Sequence, residues 1–112
     1  MNRAAFLTLA AASALSIAAP ASADALTEAH HRALEHFTRN ESGVKDAIWT
    51  SPTMIKLGML DNGTPRDGFA LYACEVLSQY GFKGKAIRVQ IIDIAKLVRT
   101  NKWTKLGEAS CL

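Results

Sequence analysis

The residues of this chain best suited to hold something are its histidines. His30, His31 and His36 fall within seven positions, on a stretch whose apolar spacing predicts a helix. His31 and Glu35 stand at i and i+4 and so share one helix face, a spacing that suits chelation of a transition metal, and His36 follows directly. Helix geometry puts no third ligand on the His31/Glu35 face. The plain alternative is a set of helix-surface histidines, with His31 and Glu35 as a weak pair.

Two cysteines, Cys74 and Cys111, are the next candidates. They lack C-x-x-C spacing and are too few for a structural zinc site. One disulfide is the only pairing available within the chain. It would close a loop of 37 residues, worth about 3.5–4 kcal/mol on a chain-entropy account. A nucleophilic role for Cys74 would need a free thiolate and a neighbouring base.

Other chemistry is thin. The chain has no G-x-S-x-G, H-E-x-x-H, Gly-rich phosphate loop or S-x-x-K, which removes the common hydrolase and nucleotide-binding signatures. Asp61 and Asp67 are explained by turn and cap duties rather than as an acid/base pair. Trp49, Trp103, Tyr72 and Tyr80 could line a groove, although aromatics in so small a domain are first expected in its core. An exposed tryptophan would mark a binding surface. Asn40-Glu41-Ser42 and Asn62-Gly63-Thr64 match the glycosylation acceptor, a permissive pattern that is a chance match in a bacterial protein.

The elements that must position these residues can be read in order. Asp24 to Asn40 is the first helix, with Leu26, Ala29, Ala33, Leu34 and Phe37 on its apolar side and Asp24 as its cap. Val44–Thr50 and Met54–Leu60 read as strands joined by Ser51-Pro52-Thr53 into an antiparallel hairpin. Thr64-Pro65-Arg66-Asp67 is a capping signature with Thr64 at the N-cap, opening a helix that runs to Tyr80. Gly81 ends it in the left-handed conformation, and Phe82 folds back on the last turn. Ala86–Ile92 is a strand with Ile87, Val89 and Ile91 on one face and Arg88 and Gln90 on the other. Asp93 caps a short helix carrying Ile94, Leu97 and Val98. After a break at Thr100–Lys102 comes a tail containing Trp103, Leu106 and Cys111. The fold class expected is α+β: a three-stranded sheet with two to three helices in the order α-β-β-α-β-α, holding one disulfide. Met54–Ile92 would form a βαβ crossover if its two strands lie parallel.

The first 23 residues read as a secretory signal peptide. Arg3 is followed by the uncharged, Ala/Leu-rich run Ala4–Ala19, then Pro20 and the small-x-small pattern Ala21-Ser22-Ala23. The run is 16 residues, short of the roughly 20 needed to span a membrane. Cleavage is expected before Asp24, leaving a single domain, 24–112, of 89 residues with a net charge of +2. The signal is of bacterial type, which places the protein in a periplasm or the medium, where a disulfide persists.

With scattered basic residues and that address, nucleic acid is not an expected partner. The reading is a monomeric, exported, non-enzymatic domain without a cofactor or membrane span. It binds a protein, an envelope component or a small ligand through its sheet face or an edge strand, with Arg88, Gln90, Trp49 and Trp103 on the binding surface. The alternatives are a metal-binding protein using His31, Glu35 and His36, and a small enzyme whose polar cluster only three dimensions assemble.

Overall fold

The computed structural model describes residues 25–112. The expected signal peptide and the cap at Asp24 lie outside the described residues. Helix α1 spans Glu28–Asn40. Thr27 supplies its cap: the Thr27 hydroxyl accepts from the His30 amide at 3.4 Å, and the His30 ring accepts the Thr27 amide at 3.0 Å. This reciprocal pair satisfies two backbone donors that a helix start leaves open. His30, Ala33 and Phe37 form the buried stripe of α1.

Strands β1 (Asp46–Ser51) and β2 (Met54–Met59) form the expected antiparallel hairpin, with Ile48 opposite Lys56 and Trp49 opposite Ile55. Helix α2 covers Asp67–Leu77 and runs into a single π turn, Ser78–Phe82. Gly81 takes the left-handed conformation there, at φ 96°, and Phe82 turns inward to a buried position. Strand β3, Arg88–Asp93, lies parallel to β2, so Met54–Asp93 is a strand–helix–strand crossover. Asp93 then caps α3 (Ile94–Thr100), accepting from the Lys96 amide at 3.0 Å.

Among the described residues the sheet has four strands, not three. Lys105–Ser110, expected as a tail, is β4, and it pairs antiparallel with β3 to give the order β1-β2-β3-β4. Gly107 and an interruption of register beside Ile91/Ile92 spoil the apolar alternation that marks a strand. The start of α2 differs for a linked reason. The Thr64 hydroxyl donates to Asn62 Oδ1 at 2.6 Å instead of capping, and Arg66 occupies the N-cap without a side-chain capping bond. The Arg66 amide donates to the Leu106 carbonyl at 2.9 Å, and Asp67 accepts from the Glu108 amide at 2.9 Å. The start of α2 is therefore tied to the outer side of β4.

Helices α1 and α2 cover one face of the sheet. Phe37, Ile55, Leu57, Leu77, Val89 and Ile91 are fully buried between them. Cys74 on α2 and Cys111 beyond β4 form a disulfide, Cα to Cα 5.3 Å, spanning 37 residues. No helix among the described residues is long and apolar enough to cross a membrane.

Candidate functional site

Side chains alternate across a strand, so the residues between the core positions must face the other way. On β1 and β2 these are Ile48, Lys56 and Gly58; on β3 they are Arg88, Gln90 and Ile92. Among the described residues, only the seven-residue α3 and the segment after it lie over this second face. Gly58 sets how closely α3 can approach: a Cβ there would stand 2.9 Å from Ile94 Cδ1. The result is a shallow groove between β1 and α3, lined by Ile48, Gly58, Ile94 and Leu97 and rimmed by Lys56 and Trp103. Ile48 is 49% exposed and Trp103 52%. The Lys56 ammonium sits 5.1 Å from the Trp103 ring centroid, a cation–π contact that holds both side chains at the rim.

Beside the groove lies a fixed charge cluster. Glu108 takes the Lys105 ammonium at 2.9 Å, the Arg88 guanidinium at 3.3 Å and the Gln90 amide at 3.3 Å. The Lys105 hydrogen bond is the first cause holding the Glu108 carboxyl below the usual glutamate range, with the nearby charges and Gln90 adding to it against some desolvation. One carboxylate thus holds two cations in place. The face offers an apolar slot, an exposed tryptophan and positioned charges.

The residues singled out from sequence separate into distinct places. Arg88, Gln90 and Trp103 share this open face. Trp49 does not: it is 6% exposed, and its Nε1 donates to the His30 carbonyl at 2.9 Å. It packs against His30 and Phe82, with ring centroids 4.6 and 5.3 Å away. As a binding-surface residue Trp49 is corrected to a core residue, placed inward by the same alternation that exposes Ile48.

The histidines also part. His30 is buried, its Nε2 donating to the Pro52 carbonyl at 2.9 Å while Nδ1 accepts from Thr27, so the ring is a structural tie between α1 and the β1–β2 turn. His31 is exposed. Glu35 pairs with Arg39 at 3.3 Å on the surface. His36 is held between the Tyr80 hydroxyl, 3.1 Å from Nδ1, and Glu41, 3.0 Å from Nε2. His31, Glu35 and His36 are not brought together, and the described residues hold no group of three side chains arranged for a metal.

The His36 chain is a polar cluster that sequence reasoning missed. Glu41 Oε2 accepts both His36 Nε2 and the Tyr72 hydroxyl, the latter at 2.6 Å. That bond is the main reason the Tyr72 phenol is pushed up from its ordinary value. Tyr80, His36, Glu41 and Tyr72 so join the end of α1 to α2 and the π turn. Separations of 31 and 44 residues left no local pattern to find. Cys74, meanwhile, carries no thiolate, being disulfide-bonded. Asp61 accepts from the Gly63 amide at 2.8 Å and Asp67 from Glu108, which are the turn and end-closing duties that account for both.

No protein-family model matches the chain, and comparisons with curated proteins and with solved structures find nothing similar to it.

Proposed function

We propose that this is a small exported domain, not an enzyme, that captures a partner protein through the open face of its sheet. The observation that carries the reading is Trp103: a tryptophan left half-exposed beside Ile48, at the rim of an apolar groove, with Lys56 over its ring. A domain this small gains more by burying tryptophan than by showing it, as Trp49 illustrates. The groove is too shallow to enclose a small molecule. It suits one apolar anchor side chain of a partner, with Arg88, Gln90 and Lys105 as the polar surround. Export rests on the leader-like residues 1–23 and on the Cys74–Cys111 disulfide, which is at home in an oxidising compartment.

The test is site-specific photocrosslinking in cells that export the protein with its own leader. A photoreactive benzoylphenylalanine replaces Ile48 in one version and Leu71, exposed on α2, in another. The expected result is a discrete adduct from position 48, none from position 71, and loss of the first when Trp103→Ala is added. Equal adducts from both positions, or none from 48, would sink the proposal. Mass spectrometry of the recovered chain checks export: it should begin at Asp24 and be two hydrogens lighter than the reduced form.

A further inference from the structure

We propose that Asn62 is a self-modifying site, where the side-chain amide is lost through attack by the Gly63 backbone nitrogen. The site is separate from the open face and needs no partner. Three neighbours supply the parts of an intramolecular acyl transfer. The Thr64 hydroxyl and amide both donate to Asn62 Oδ1, at 2.6 and 3.0 Å. They polarise the side-chain carbonyl and stand where negative charge develops when it is attacked. Asp61 accepts the Gly63 N–H at 2.8 Å and so is placed to receive its proton. Gly63 has no side chain to block the approach, holds φ at +83°, and would meet nothing within 4 Å even with a Cβ. The whole segment Asp61–Pro65 is exposed to water.

The chemistry balances with water as the only co-reactant. The Gly63 nitrogen loses its proton toward Asp61 and attacks Asn62 Cγ, forming a five-membered cyclic imide. The Cγ–Nδ2 bond breaks, and the departing nitrogen takes up the proton and leaves as ammonia. Water then opens the imide at either carbonyl, giving aspartate or isoaspartate at position 62. The net change is amide plus water to acid plus ammonia. The product adds one negative charge beside Asp61. Its isoaspartate form also lengthens the main chain by one carbon, between β2 and the Arg66 guanidinium that holds the Leu60 carbonyl at 2.8 Å.

Two other asparagines act as controls within one sample: Asn40, before Glu41, and Asn101, before Lys102. The folded, oxidised protein is incubated at neutral pH, and peptide mass spectrometry follows acid and isoaspartate at all three sites. Asn62 is expected to react at least about tenfold faster than either control, and Thr64→Val to slow it several-fold, as removal of a donor to a developing oxyanion should. Asp61→Ala is expected to slow it as well. A rate at Asn62 no greater than at Asn40 and Asn101, or one unmoved by Thr64→Val, overturns the proposal. Full rate in Asp61→Ala overturns the assignment of Asp61 as proton acceptor. Circular dichroism of each variant verifies the fold, which these exposed loop positions leave intact.

Discussion

The two faces of the sheet are built from the same strands and have opposite characters. On the covered face Ile55, Leu57, Val89 and Ile91 are fully buried beneath α1 and α2. One residue along each strand, Lys56 and Gln90 stand on a face that, among the described residues, only α3 and Trp103 overlie in part. The contrast shows how an 88-residue described domain divides its work. Positions of one parity form the main core; of the other parity, Gly58 and Ile92 are closed beneath α3, while Lys56, Arg88 and Gln90 keep part of their surface in solvent. The tryptophans repeat the contrast in a single residue type, Trp49 buried and hydrogen-bonded, Trp103 half in water.

Removing the covered side's covalent tie should have the largest effect. A Cys74→Ala, Cys111→Ala double variant loses a crosslink over 37 residues, and its stability in urea should fall by about 3.5–4 kcal/mol. A loss below about 1 kcal/mol would mean that β4 is held by its hydrogen bonds alone, through Arg66, Asp67 and the Cys111 amide on the Ile87 carbonyl. Adjacent residues on β2 then test the division of faces directly. Leu57→Ala should destabilise by about 3 kcal/mol by leaving a cavity. Lys56→Ala should stay within about 0.5 kcal/mol. Similar losses at the two positions would show that the open face is also structural.

The tryptophan pair sharpens the comparison at lower amplitude. Trp49→Phe loses the bond to the His30 carbonyl and should cost about 1–2 kcal/mol. Trp103→Phe should leave the unfolding midpoint nearly unchanged. Fluorescence separates the two: acrylamide should quench the protein that retains only Trp103 strongly and the one that retains only Trp49 weakly. Equal quenching would contradict the placement of the tryptophans on opposite sides.

Much of this division is legible in the sequence, for reasons that particular residues make plain. The alternation Ile87-Arg88-Val89-Gln90-Ile91 by itself separates the faces of β3, and Asp93 and Gly81 mark the ends of their helices by local chemistry. Where the deciding contact is distant, legibility stops. Lys105–Ser110 is a strand because β3 accepts it and the disulfide anchors its end, not because Lys-Leu-Gly-Glu-Ala-Ser favours one. Thr64-Pro65 reads as a helix cap, yet Thr64 turns to Asn62 because the start of α2 is fastened to β4. The candidate site shows the same limit. Arg88 and Gln90 could be assigned to the outer face from alternation alone. The groove depends on Gly58 meeting Ile94 across 36 residues, and the Tyr80–His36–Glu41–Tyr72 chain on contacts that no spacing announces.

The smallest expected effect concerns charge, and it separates the faces by the kind of force each uses. Glu108 has its carboxyl held low, first by the Lys105 hydrogen bond, so the folded state binds a proton there less readily than the unfolded chain does. Its contribution to stability is therefore present above the ordinary glutamate range and is lost as pH falls through the lowered value. Glu108→Gln keeps the shape and removes the charge. The variant should be slightly less stable than the natural protein at pH about 6, and the gap should close as the pH falls through the lowered value and shrink with added salt. Because the groups are exposed, the gap stays small at every pH. The loss from Leu57→Ala should show neither dependence, since that side chain is uncharged and fully buried in the hydrophobic core. A Glu108 gap that ignores both pH and salt would mean that this residue acts through packing, which would make the open face an extension of the core.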